Sequence, residues 1–196
     1  MPREQGLRRC VEAIAPAPHV TARPSRAAFL DRDGVINVDT GYTFRPGDLV
    51  FTPTAVAGIG MLNRAGYRVL VVTNQSGVAR GLYGIAEVEA FHRHMQAALL
   101  REGAHVDQYY YCPYHRDGTV AEFAIDHEDR KPNPGMLLRA MADWNVAREG
   151  SFLIGDKPSD LEVAARVGIA GVLVPANSCD LAATVGESLA RFAEAA

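Results

Sequence analysis

The chain has little of what would mark it as secreted, membrane-bound or nucleic-acid-binding. Its 196 residues contain only three cysteines, Cys10, Cys112 and Cys179. An odd number spaced so far apart excludes a disulfide framework and fits a reducing compartment, so a cytoplasmic setting is expected. No uninterrupted apolar stretch reaches the ~18 residues a membrane-spanning helix needs. Charge of one sign is also scarce: 20 Lys and Arg stand against 23 Asp and Glu, a formal net charge of -3. Bulk attraction to nucleic acid or to an anionic membrane is thereby removed, so neither is expected as a partner. Internal repeats and low-complexity segments are lacking too. What the chain does have is apolar substance, 48% of residues, enough for the core of one domain.

The opening "MPREQGLRRCVEAIAPAPHVTARPSR" lacks any sustained hydrophobic period. Glu12, Pro16 and Pro18 interrupt the apolar run a signal peptide requires, and Glu4 and Glu12 count against an arginine-rich transit peptide. Residues 1–26 therefore read as a poorly ordered tail, or a start placed upstream of the domain, and residues 27–196 as the domain itself.

From Ala27 onward, short apolar runs alternate with longer helical patterns. The stretches 27–30, 67–73, 106–112, 151–155 and 171–174 are near-continuously apolar, rich in β-branched or aromatic residues, and end in Gly, Asp, Asn or Pro. Stretches 54–65, 85–102, 134–144 and 158–167 carry apolar residues at helical spacing. Pro53, Pro134 and Pro158 stand near helix starts, and Gly66, Gly103 and Gly168 just past helix ends. Strand–helix alternation with buried strands predicts an α/β fold, a parallel sheet covered on both faces. In such sheets the carboxyl ends of the strands carry the ligand site. The residues arriving there are Asp31 and Asp33, then Thr73, Asn74 and Gln75, then Asp156 and Lys157.

Asp31, Asp33 and Asp156 together form a triply acidic pocket. Crowded carboxylates repel one another and resist dehydration, so a cation is expected between them. Oxygen-only ligands favour a hard ion, Mg2+. An aspartate beside such an ion can attack a phosphoryl group to give an aspartyl-phosphate that water later cleaves. A second carboxylate two residues on can protonate the leaving oxygen and then activate water. Phosphoryl transfer also calls for donors around the equatorial oxygens. Thr73, the amides from Asn74 to Gly77, and Arg130 and Lys131 before a helix start supply them. Taken singly, "DRDG" and "TNQSG" read as loops, and "GDKPSD" as a turn and helix start with Asp160 a solvated first-turn acid. Their appearance together, each at a strand end, favours the metal–phosphate reading.

The segments "FLDRDGVIN", "VVTNQSGVARG", "RKPNPGM" and "IGDKPSDLEVA" resemble the haloacid dehalogenase (HAD) superfamily of phosphatases. Within it they are similar to the branch of D-glycero-D-manno-heptose 1,7-bisphosphate phosphatases and histidinol phosphatases. The resemblance spans roughly residues 27 to 175 and implies a Rossmann-like three-layer α/β/α sandwich. It implies Asp31 as nucleophile and Asp33 as acid/base, with the Asp33 backbone carbonyl, Asp31 and Asp156 on Mg2+. Thr73 and Lys131 would stabilise the phosphoryl group. Asp39, Thr40, Gly41 and Tyr42 match a substrate-covering loop. Thr73, Asn74, Gln75 and Ser76 match a phosphate cradle, Arg130 matches a substrate-recognition position, and Lys157 joins the substrate contacts.

The chain departs from that pattern at one place. Many members bind structural zinc through a Cys-x-His pair and a later Cys-x-Cys pair before the "RKP". Here Tyr114 stands in the histidine position, and His127 and Asp129 in the second pair's cysteine positions. A rebuilt site of Cys112, His115, His127 and Asp129 is chemically allowed, but structural sites rarely mix in a carboxylate. The expectation is a metal-free loop.

Only 40 positions separate Asp33 from Thr73 and 58 separate Thr73 from Lys131, too few for a large cap domain over the site. An open site suits a small phosphorylated substrate. The match of "DTGY" and its companion motifs favours the heptose bisphosphate over histidinol phosphate, and a monomer is expected. A phospho-accepting receiver module would lack a base as near as Asp33. A polynucleotide phosphatase would need a basic track that the scattered Lys and Arg do not form.

Overall fold

The structure is a computed structural model, and it describes residues 24–192. Its order is β1 (Ala27–Leu30), α1 (Ala55–Arg64), β2 (Arg68–Asn74), α2 (Ile85–Arg101), β3 (Gln108–Cys112), α3 (Gly135–Asp143), β4 (Phe152–Gly155), α4 (Pro158–Val167), β5 (Ala170–Leu173) and α5 (Leu181–Phe192). All five strands are parallel, in the order β3-β2-β1-β4-β5.

Alternation along each strand divides the core in two. Ala28, Leu30, Val69, Val71, Phe152 and Ile154 point to one face, against α1, α2 and α5. Ala27, Phe29, Leu70, Val72 and Leu153 point to the other, against α3 and α4. The result is the three-layer α/β/α sandwich, and among the described residues no further domain is inserted between its elements. Because both faces of the sheet are covered, the central strands tolerate apolar residues at every position. Gly66, Gly103 and Gly168 stop α1, α2 and α4 with φ of 76°, 75° and 75°, the left-handed conformation expected of them.

Two differences from the sequence reading stand out. Helix α5 was not anticipated. Its sequence "LAATVGESLARF" is mostly good helix formers broken by Gly186, with Leu181, Val185 and Leu189 at helical spacing. Leu181 and Val185 are buried, and Leu181 lies so close to Gly58 of α1 that a Cβ there would sit 3.0 Å from its backbone. The second difference concerns the expected tail. Residues 1–23 lie outside the described residues, but Ser25 receives a bond from the Ala147 amide and donates to the Asn145 and Trp144 carbonyls, so it is stitched to the end of α3.

The strand order reverses direction between β1 and β4. Asp31 follows β1 and Asp156 follows β4, and the Asp31 amide donates to the Ile154 carbonyl at 2.9 Å. The two carboxylates thus meet at the topological switch point, where open α/β sheets form their crevice.

Candidate active site

A cleft with an empty volume of about 250 Å³ opens at this edge of the sheet, lined by Asp31, Asp33, Thr73, Asn74, Lys131, Lys157, Ser159 and Asp160. At its floor Asp31 is almost fully buried, and its Oδ1 accepts the Arg32 amide at 2.8 Å and faces Lys131 Nζ at 3.1 Å. Burial pushes the Asp31 carboxyl up to about 7, with the opposing pull of Lys131 and a further push from the charge of Asp160. Burial alone would lower Lys131, but Asp31 and Asp160 together hold its ammonium above the ordinary lysine value.

Asp160 is the main correction to the sequence reading. It is 0% exposed rather than a solvated first-turn acid. Its Oδ2 accepts the Lys157 amide at the start of α4, while its Oδ1 stands 2.6 Å from Lys131 Nζ. Gly155 permits this: a Cβ there would come within 2.3 Å of Asp160. The only sequence signal was the four-residue spacing from Asp156, which any N-terminal helix acid shares.

Among the described residues, one group of metal-type ligands converges, and it is Asp31, Asp156 and Asp160, with an oxygen of each within 4.8 Å of the others. Burial raises the Asp156 carboxyl, Lys157 pulls against this, and the charge of Asp160 adds a further push. Its Oδ1 is buried without a hydrogen bond, the nearest cation being Lys157 Nζ at 3.7 Å. Gly34, at φ 87°, gives this carboxylate its space, since a Cβ would lie 2.7 Å from Asp156 Oδ2. An all-oxygen donor set with an orphaned carboxylate oxygen fits a hard divalent cation.

Asp33 turns its side chain away from that group. Its two oxygens receive Arg32, Asn37 Nδ2 at 3.0 Å and Gln75 Nε2 at 2.9 Å. Gln75 is fully engaged: Nε2 also donates to Thr73 Oγ1, and Oε1 accepts from Tyr83 OH at 2.9 Å. Asn74 clamps the Lys131 backbone in both directions, at 3.0 and 3.1 Å.

A family model for HAD-like hydrolases matches residues 129–190. Over 145 residues the chain is 46% identical to a D-glycero-beta-D-manno-heptose-1,7-bisphosphate 7-phosphatase of Rhodopseudomonas palustris, covering 74% of this chain and 81% of that one. The chain belongs to the HAD superfamily of phosphatases. A protein of the same description from Escherichia coli K12 is 40% identical over 149 residues, covering 75% and 78%. Among solved structures, D,D-heptose 1,7-bisphosphate phosphatase from B. bronchiseptica, complexed with magnesium and phosphate, superposes with a TM-score of 0.73 at 32% identity, covering 85% and 99%. A HAD-like protein from Mesorhizobium loti superposes at 0.81 and 37%, covering 91% and 90%.

In this HAD phosphatase the Asp39–Tyr42 loop is pinned from the β5–α5 loop. The Asp39 amide donates to Asn177 Oδ1 at 2.6 Å, and Asn177 Nδ2 returns a bond to the Asp39 carbonyl at 3.1 Å. Thr40, Gly41 and Tyr42 are exposed at the rim, with Gly41 at φ 82° and Tyr42 at φ 60°. Asn177, from the β5–α5 loop, was not identified from sequence. Ser76 is half-buried and its carbonyl accepts the Arg80 amide. Arg130 is half-buried and does not line the cleft, its Nη1 donating to the Tyr114 carbonyl at 3.2 Å.

The four zinc candidates do not converge. Burial pushes the Cys112 thiol up to about 11, and its sulfur lies 3.9 Å from the Tyr114 carbonyl. His127 stacks on Tyr114 with centroids 4.0 Å apart, Asp129 pairs with Arg139 at 2.9 Å, and His115 Nε2 lies 3.4 Å from Arg80. Ring stacking and an ion pair tie this loop together.

Proposed function

We propose that the chain removes the 7-phosphate of D-glycero-D-manno-heptose 1,7-bisphosphate, in a Mg2+-dependent reaction through an aspartyl-phosphate on Asp31. The observation that carries this reading is the buried Asp31–Lys131–Asp160 grouping beside Asp156, in a chain whose relatives bear that activity in their names. Asp31, Asp156 and Asp160, with the Asp33 carbonyl, are the residues to hold Mg2+, which when bound supplies positive charge to the phosphoryl oxygens.

The remaining work falls to side chains of the cleft. An Asp31 oxygen bonds to phosphorus as the ester P–O bond breaks, and Asp33 delivers the proton to the departing alcohol oxygen. Water then attacks the aspartyl-phosphate with Asp33 taking its proton, releasing inorganic phosphate and restoring Asp31. Lys131 and Thr73 offset charge on the transferring group. Lys157, 53% exposed at the mouth, and the Asp39–Tyr42 loop contact the substrate, with Asn74, Gln75 and Ser76 forming the cradle. Arg130 receives the second phosphate through its planar fork.

The test is inorganic phosphate release from a panel of sugar bisphosphates, histidinol phosphate and phosphorylated oligonucleotides. The proposal requires the heptose bisphosphate to give the highest kcat/KM, with product retaining its 1-phosphate. Preference for histidinol phosphate overturns it.

A further inference from the structure

Arg32 stands between the two aspartates and is the largest fully buried side chain among the described residues, at 0% exposure. A guanidinium is costly to bury unless its donors are met, so what meets them is informative. Nε donates to Asp33 Oδ1 at 3.1 Å, and Nη2 donates to Oδ1 and Oδ2, each at 2.8 Å. The same Nη2 donates to the Thr43 carbonyl, just past the covering loop, at 2.7 Å. Nη1 reaches His92 Nε2 at 3.1 Å. The guanidinium lies over the Phe91 ring, 4.7 Å from its centroid.

His92 is itself 0% exposed and stacks on Tyr109 with centroids 4.6 Å apart. Since an arginine only donates, Nε2 must accept and Nδ1 must carry the hydrogen. A neutral imidazole thus backs the guanidinium from the side opposite Asp33.

We propose that Arg32 is a positioning residue of the phosphatase reaction: its fork sets the Asp33 carboxylate and ties it to the covering loop at Thr43, with His92 fixing the fork from behind. The inference rests on the acid/base reading of Asp33 given above. An aspartate side chain has two torsions, and general-acid catalysis needs its oxygen aimed at the leaving group. Asn37 and Gln75 each give Asp33 a single side-chain bond. Arg32 contacts both oxygens from one rigid, planar group, which restrains the carboxylate's rotation as two separate donors cannot.

A leaving-group comparison tests this. An alkyl phosphate ester releases an alkoxide that needs the Asp33 proton as the P–O bond breaks. 2,4-Dinitrophenyl phosphate releases a phenolate stable without one. Because kcat/KM reports the steps up to formation of the aspartyl-phosphate, only the alkyl ester senses a misplaced acid. For Arg32→Lys and Arg32→Met, kcat/KM on the sugar ester that wild type hydrolyses best should fall roughly ten- to a hundredfold, part of the worth of a general acid. On dinitrophenyl phosphate it should fall less than about threefold, within the scatter of small structural effects. Equal losses on both esters, or none, overturn the proposal.

Should the Arg32 variants fail to fold, His92→Phe keeps a ring against Tyr109 and removes the acceptor facing Arg32, along with an Nδ1–H that is buried without a hydrogen-bond partner. It should show the same selectivity at about three- to tenfold, the range of one lost hydrogen bond; loss without selectivity, or no loss, overturns the idea. Asp33→Asn is run alongside. If it does not itself discriminate between the esters, the acid/base reading fails and takes this proposal with it. If it does and the Arg32 and His92 variants do not, only the positioning role is wrong.

Discussion

Lys131 Nζ lies closer to Asp160, at 2.6 Å, than to Asp31, at 3.1 Å. One ammonium thereby ties the start of α4 to the end of β1, on opposite sides of the switch point. Its nearer partner is the carboxylate from the first turn of α4, while Asp31 Oδ1 also takes the Arg32 amide at 2.8 Å.

Asp160→Asn should keep the helix-start bond, since an amide oxygen can still accept the Lys157 amide. It removes one of three converging charges, so Mg2+ affinity measured by calorimetry should fall by roughly ten- to a hundredfold. Unchanged affinity would place Asp160 outside the ion's surroundings. Chelation should abolish activity, and magnesium, but not zinc, should restore it.

Asp31→Asn should eliminate turnover, because an amide cannot attack phosphorus. Asp33→Asn should fall by at least about a hundredfold, the lower end of general acid–base catalysis. Intact-mass analysis of the Asp33 variant should reveal retained phosphate on Asp31. More than about a hundredth of wild-type rate in either variant contradicts these roles.

Arg130→Ala should lower kcat/KM for the heptose bisphosphate by roughly ten- to a hundredfold, the worth of a charge-assisted contact. A small monophosphate should be almost unaffected. Equal slowing of every substrate would assign Arg130 to holding the Tyr114 loop instead.

Burial, and then the charge of Arg32, hold His92 well below its ordinary value of 6.5. The folded protein therefore refuses a proton that the unfolded chain accepts. His92's contribution is fully present above pH 6.5 and is lost as pH falls below it, at up to about 1.4 kcal/mol per pH unit. His92→Gln should flatten the dependence of urea-unfolding stability between about pH 6.5 and 5, where the wild-type histidine titrates in the unfolded state. Parallel curves for the two proteins would refute this assignment.

What the sequence made legible was whatever local chemistry announces. Strands β1 and β4 and the Val69–Val72 centre of β2 are apolar because both sheet faces are covered, and Asp31, Thr73 and Asp156 stand at the strand ends. Asp160, Arg32 and Asn177 were not legible as site residues. Asp160 looks like any first-turn acid until Gly155 and Lys131 are brought around it. Arg32 acquires its role only when α2 delivers His92. Helix α5 was legible in principle from Leu181, Val185 and Leu189 at helical spacing, and it packs on α1.

The reciprocal pair between Asp39 and Asn177 joins positions 138 residues apart. During synthesis β1 and Asp31 leave the ribosome long before the Asp39–Tyr42 loop can be fastened. Nascent chains short of Asn177 would carry Asp31, Asp33 and Lys131 yet lack the latch on the Asp39–Tyr42 loop. Order at the site is thus scheduled late, after the sheet has acquired its fifth strand.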